Sequence, residues 1–263
     1  MSNRVLRPFC LVNYSSISIF RFGPPCGCEN FVTGMHQDHL IYTPALVYTP
    51  RECPLKTIRI LALCGIAGPI FFTVVVLILG SLRPGYSHLT QAISELGETG
   101  APNAIFQQVN FLMIGALGLA FSLGLHRGIG QGKGSKVGPV LLGVFALLSG
   151  IGNSIFPCDP GCEFVTFTGT MHNVTGLLGF LAFVAAALVL SRRYMTDGMW
   201  RGYRSYSIVS GILVLLFLFA FIAASAGAVP FRGVFQRTFV GLMFLWLIVT
   251  GVRLYKVAGL QPR

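Results

Sequence analysis

Six uninterrupted apolar runs, over residues 58–80, 105–125, 137–156, 172–190, 207–228 and 239–255, constrain this chain more than any other feature. Each is long enough that a helix rising about 1.5 Å per residue crosses about 30 Å of hydrocarbon. Inside a bilayer every backbone N–H and C=O must find its partner within the protein, which leaves only helices or a closed barrel. The runs are continuously apolar and do not alternate in and out, so they predict helices. The expected fold is all-α, an integral membrane six-helix bundle over residues 51–263. Composition fits that solvent, with 54% hydrophobic and 10% charged residues.

The charge that remains is mostly basic, 19 Lys and Arg against 8 Asp and Glu. A nucleic-acid partner would need those bases in a stripe on a soluble surface, and here they sit in short blocks between apolar runs, so no nucleic acid is expected. Such blocks encode orientation instead. One set of connections carries Arg51, Lys56, Arg59, Arg127, Lys133, Lys136, Arg192, Arg193, Arg201, Arg204, Arg253, Lys256 and Arg263, whereas the alternate set carries Arg83, Arg232 and Arg237. The asymmetry predicts both ends of the chain in the cytoplasm of a multi-pass cell-membrane protein. The acids Glu95, Glu98, Asp159 and Glu163 fall in the outer loops.

Residues 1–50 mix aromatic, polar, Pro and Gly residues without an apolar period and read as a poorly ordered tail. They lack a signal-peptide core and cleavage site, and Met35 is an alternative start of translation. Cys26 and Cys28 lie near His36 and His39, but C-x-C is the wrong spacing for a zinc knuckle.

Two outer loops carry the candidate chemistry. In the first, over residues 81–104, Leu89, Ala92, Ile93 and Leu96 fall on one helical face and Thr90, Gln91, Ser94, Glu95 and Glu98 on the other. That pattern predicts a short amphipathic helix, lying in the interface or folded over the bundle as a lid. The second opens with F-P-C-D-P-G-C at residues 156–162. Asp159, Pro160 and Gly161 are turn formers that bring Cys158 and Cys162 together. A disulfide is the first reading of that pair, free thiols the second and a metal site the last.

Polar residues inside membrane helices are costly and so are seldom incidental. Asn110, Asn153 and His172, with Gln236 and Arg237 at the start of the last run, converge on the outer face beside Asp159 and Glu95. The candidate pocket is therefore Ser94, Glu95, Asn110, Asn153, Asp159, His172 and Arg237. The bland alternative is that these residues cap helices, form turns or glue helices together.

The runs S-E-L-G at residues 94–97, A-P-N at 101–103, F-P-C-D-P-G-C at 156–162 and T-M-H-N at 170–173 resemble domain-of-unknown-function family 998, polytopic membrane proteins of bacteria and archaea. The resemblance spans about residues 58–255. It implies six helices and supplies no activity, cofactor or catalytic residue.

Three functions suit this pattern: binding of a small ligand or lipid head group in an outward-facing polar pocket, a membrane-embedded lipid-modifying hydrolase or transferase, and a small transporter. No H-E-x-x-H or G-x-S-x-G spacing supports catalysis, and no charge at the bilayer midplane marks a transport path. Binding is the expectation, with the lipid bilayer as the surrounding partner. Topology reporters fused after Lys133, after Arg201 and at Arg263 are expected to score cytoplasmic, and those near Glu98 and Glu163 external. An external C-terminus would overturn the orientation.

Overall fold

The computed structural model describes residues 31–32, 45–46, 55–130, 132–227 and 229–260. The chain divides into an N-terminal unit, Met1–Glu52, and a helical unit, Cys53–Arg263. In the first, Phe31–Val32 (β1) and Ala45–Leu46 (β2) form an antiparallel pair in which Phe31 faces Leu46. Apart from those four residues, the expected disordered tail lies outside the described residues, as do the alternative start at Met35 and Cys26, Cys28, His36 and His39.

Among the described residues the helical unit holds six helices long and apolar enough to cross a membrane: α1 (Leu55–Leu82), α2 (Ala104–Gly128), α3 (Val137–Ile155), α4 (Phe167–Thr196), α5 (Tyr203–Ser225) and α6 (Arg232–Leu260). By length and composition this is a multi-pass membrane protein. Each helix packs on the next in sequence and α6 returns to α1, which closes a ring. The interior is built from large side chains such as Phe121, Leu142, Phe183, Phe239 and Trp246, all essentially inaccessible. Ile60, Leu77, Leu216 and Phe219 point outward, as they can where the surroundings are hydrocarbon.

With no hydrophobic drive between helices in lipid, close backbone approach and buried hydrogen bonds must hold the ring. Gly115 of α2 and Gly150 of α3 meet so tightly that a Cβ on Gly150 would lie 2.3 Å from the Gly115 Cα. On α5, the Ser207 hydroxyl accepts from Trp246 Nε1 at 2.9 Å and donates to the Ala187 carbonyl at 2.8 Å, which ties α4, α5 and α6 together. Around Gly150, α3 widens into a π-helix over Ala146–Gly152. Such turns concentrate at functional sites.

Hydrogen bonds place the helix ends. Arg193 donates to the Gly130 carbonyl at 2.7 Å and pairs with Asp197 at 3.0 Å, and Arg253 donates to the Met199 carbonyl at 2.8 Å, so the α2–α3 and α4–α5 connections share one end with the C-terminal turns. At the other end, residues 83–103 and 156–166 gather with the first turns of α6 into a cap.

The cap differs from the amphipathic helix expected in the first outer loop. Residues 88–90 are turn and Ile93–Gly97 is a single 3₁₀ segment, with everything from Ala92 to Glu98 buried, the polar residues included. Of the polar face, Glu95 and Glu98 find partners inside the protein, and only Thr90 is exposed. Glu95 folds back on its own turn to accept from the Ala92 N–H at 2.6 Å, takes the Gln91 amide at 3.0 Å and pairs with Arg232. Glu98 takes Arg83 at 2.6 Å on one oxygen and the Gly161 N–H at 2.7 Å on the other. Gln236 accepts from the Ile93 N–H, and the Thr99 N–H reaches the Cys158 carbonyl at 2.9 Å. The underside is close-packed as well, because a Cβ on Gly233 would lie 2.5 Å from the Gln91 carbonyl.

The contact between α2 and α3 tolerates no side chain, whereas Gly241 faces open space. Gly150→Ala is expected to lower stability by about 1–3 kcal/mol through overpacking. Gly241→Ala should be neutral or stabilising by up to ~1 kcal/mol through helix propensity. Thermal midpoints in detergent check both, and equal midpoints for the two variants would contradict the packing described.

Candidate functional site

The ring encloses a cavity of about 680 Å³ beneath the cap. Its depth is apolar and largely aromatic, lined by Phe72, Phe111, Phe145, Phe180, Phe221 and Phe244. Its mouth is polar, with Ser94 from the cap, Asn153 from α3, Glu163 from the second loop, His172 and Asn173 from α4, and Arg232 and Gln236 from α6. The π-helix supplies part of the wall through Ala146, Ser149 and Gly150.

His172, Asn173, Gln236 and Arg232 at the mouth each bond to a backbone group. His172 lies 2.7 Å from the Phe156 carbonyl through Nδ1. A carbonyl only accepts, so Nδ1 carries a proton and Nε2 is the ring's other polar end. Asn173 gives its amide N–H groups to the Gly169 carbonyl at 3.1 Å and the Cys162 carbonyl at 3.3 Å. Gln236 spends its carbonyl on the Ile93 N–H. Arg232 uses one nitrogen for Glu95 and, at 3.1 Å, the Gly161 carbonyl.

Of the sequence candidates, Ser94, Asn153 and His172 reach the cavity. Asn153 is bonded to the Thr175 hydroxyl at 2.8 Å. Glu95 stands one residue behind the wall, fixing Arg232. Asn110 is buried between α1 and α2, where its amide donates to the Phe72 carbonyl at 3.2 Å and the Gln107 side chain at 3.3 Å. Arg237 is turned away into the cap, donating to the Gln91 carbonyl at 2.8 Å, the Tyr86 hydroxyl at 2.6 Å and His88 Nδ1 at 3.0 Å. Burial first, and the Arg237 guanidinium second, hold His88 below the ordinary histidine range, and because a guanidinium only donates, Nδ1 is the acceptor of that bond.

Asp159 closes the second loop. Its carboxylate accepts from the Thr166 N–H at 2.8 Å, the Thr166 hydroxyl at 2.8 Å and the Val165 N–H at 3.0 Å. The Thr166 and Val165 bonds together hold its carboxyl below the usual carboxylate range. Gly169 must lack a side chain there, since its Cβ would fall 2.0 Å from the Asp159 carboxylate. Cys158 and Cys162 form a disulfide across the turn, with their Cα atoms 4.9 Å apart. The ligating atoms of these two and of His172 lie within 4.8 Å of one another, but in the disulfide neither sulfur is a thiolate ligand.

Sequence reasoning missed Arg232, Ser149 and the π-helix. Arg232 registers in the sequence only as one of three outer bases, and Gln236 only as a polar helix start. Nothing in A-L-L-S-G-I-G distinguishes a π turn from an α turn.

Neither the curated proteins nor the solved structures contain a match to the chain. The model of the family described as "Protein of unknown function (DUF998)" matches residues 66–253, a stretch that includes both motif loops and almost all of the bundle. The chain belongs to that family.

Proposed function

We propose that the protein binds an amphiphile, a lipid or a lipid-like small molecule, with its tail in the aromatic cavity and its polar head at the mouth. The carrying observation is the cavity itself. At about 680 Å³ it falls in the range of sites that hold small molecules, and it joins an apolar interior to a few fixed polar groups. The charge asymmetry along the chain supports placing the mouth at the outer face of the cell membrane. Cap and disulfide loop then form a wall against water, and the ligand enters from the surrounding lipid or from outside.

Binding needs nothing further from the polar residues, of which His172, Asn173, Arg232 and Gln236 already have structural partners that orient them. Protein extracted in mild detergent and analysed by native mass spectrometry is expected to carry an amphiphile at close to one per chain. Val240→Trp, which places a large ring in the cavity wall, should reduce that occupancy at least tenfold while the helical circular dichroism stays unchanged. Equal occupancy in the variant, or no bound amphiphile in the parent chain, would refute the reading.

A further inference from the structure

We infer that the head group the mouth accepts is a zwitterion pairing a phosphate with an ammonium, as in phosphoethanolamine. This rests on the amphiphile reading above and names the class of ligand. The argument is an inventory of which polar ends remain uncommitted once the backbone has fixed the others.

On the α6 side the mouth offers only donors. Arg232 can only donate, and among the described residues its Nε and Nη1 have no protein acceptor, since Nη2 takes both Glu95 and Gly161. Gln236 has its carbonyl occupied by the Ile93 N–H, which leaves its NH₂. The α4 residues and the loop before them offer acceptors, while Asn153 of α3, held through the Thr175 hydroxyl, belongs to neither wall. The Phe156 carbonyl claims the Nδ1 proton of His172, which leaves Nε2 as the ring's uncommitted end. Two carbonyls claim the NH₂ of Asn173, which leaves its Oδ1, and Glu163 adds an exposed carboxylate. None of these assignments depends on a free choice of amide or ring orientation, because every fixing partner is a backbone group of one sign.

The mouth is therefore polarised. Among the described residues, a donor wall with the one cation that lines the cavity, Arg232, belongs to α6, and an acceptor wall with the one lining anion, Glu163, belongs to α4 and the loop before it. A purely anionic head leaves the acceptor wall unpaired and sets its charge against Glu163. A purely cationic head does the same at Arg232. Unpaired polar groups of this kind penalise the wrong ligand strongly. A phosphate toward Arg232 and Gln236, with an ammonium toward Glu163, Asn173 and His172, satisfies both walls at once.

The test uses the full chain, delipidated in detergent and titrated by native mass spectrometry with phosphatidylethanolamine, phosphatidylglycerol, a glucosyl diacylglycerol and soluble glycerophosphoethanolamine. Phosphatidylethanolamine is expected to bind at least tenfold more tightly than phosphatidylglycerol or the glucosyl lipid. Glu163→Gln should cut its preference over phosphatidylglycerol at least threefold with no change in thermal midpoint. Comparable binding of the soluble head would keep the zwitterion and make its source a soluble molecule. Phosphatidylglycerol or glucosyl lipid binding as tightly as phosphatidylethanolamine would overturn the inference and leave the amphiphile reading standing, as would a preference that Glu163→Gln does not touch. If none of the lipids binds, both fall.

Discussion

A carboxylate cannot be buried at the end of a membrane bundle unless something takes its charge, and the pairing of Glu95 with Arg232 meets that condition here. Glu95 is 3% exposed, and its side chain is enclosed by its own turn, Gln91 and the first residue of α6. Removing one partner of such a pair costs about 3–5 kcal/mol, because the other charge stays behind unsolvated. The pair joins the loop after α1 to the start of α6, and the same guanidinium holds the Gly161 carbonyl of the second loop. One arginine thus fastens three chain segments that are far apart in sequence.

The rest of the cap repeats the device. Arg83 and Glu98 link the end of α1 to the far side of the S-E-L-G turn, Glu98 continues to Gly161, and Arg237 packs under Tyr86 and His88. All three basic residues of the sparsely charged side are engaged in this way. Their presence there does not weaken the charge asymmetry that the orientation rests on, since each is held by a partner within the cap. Above the aromatic depth of the ring, the result is a polar layer whose inner surface is the mouth of the proposed binding site.

Six helices and their lengths were legible in the sequence because hydrophobic length is a local property, readable residue by residue. The ends were less so: α4 starts at Phe167 and α6 at Arg232, each a turn or more before its apolar run. Polar residues there are paired by the cap, and pairing is invisible to a hydropathy count. The same reason explains the loop after α1, where an amphipathic period was present in residues 89–96 but Glu95 and Glu98 met arginines and backbone amides and became interior. Of the candidates read from the sequence, Ser94, Asn153 and His172 line the cavity. Sequence reasoning could not separate them from Glu95, Asp159, Asn110 and Arg237, which share their residue types and location. Only tertiary contacts divide groups that face the cavity from groups that hold its wall.

Amide hydrogen exchange of the cap tests the account most directly. The N–H groups of Ala92, Ile93, Thr99 and Gly161 are each held by a side chain or carbonyl, those of Ile93, Thr99 and Gly161 by one from a distant segment. If the paired carboxylates lock the cap in place, these amides exchange as slowly as those in the middle of α2. Exchange complete within seconds, at the rate of an exposed loop, would mean that the ion pairs do not hold the cap and that the cavity has no fixed mouth.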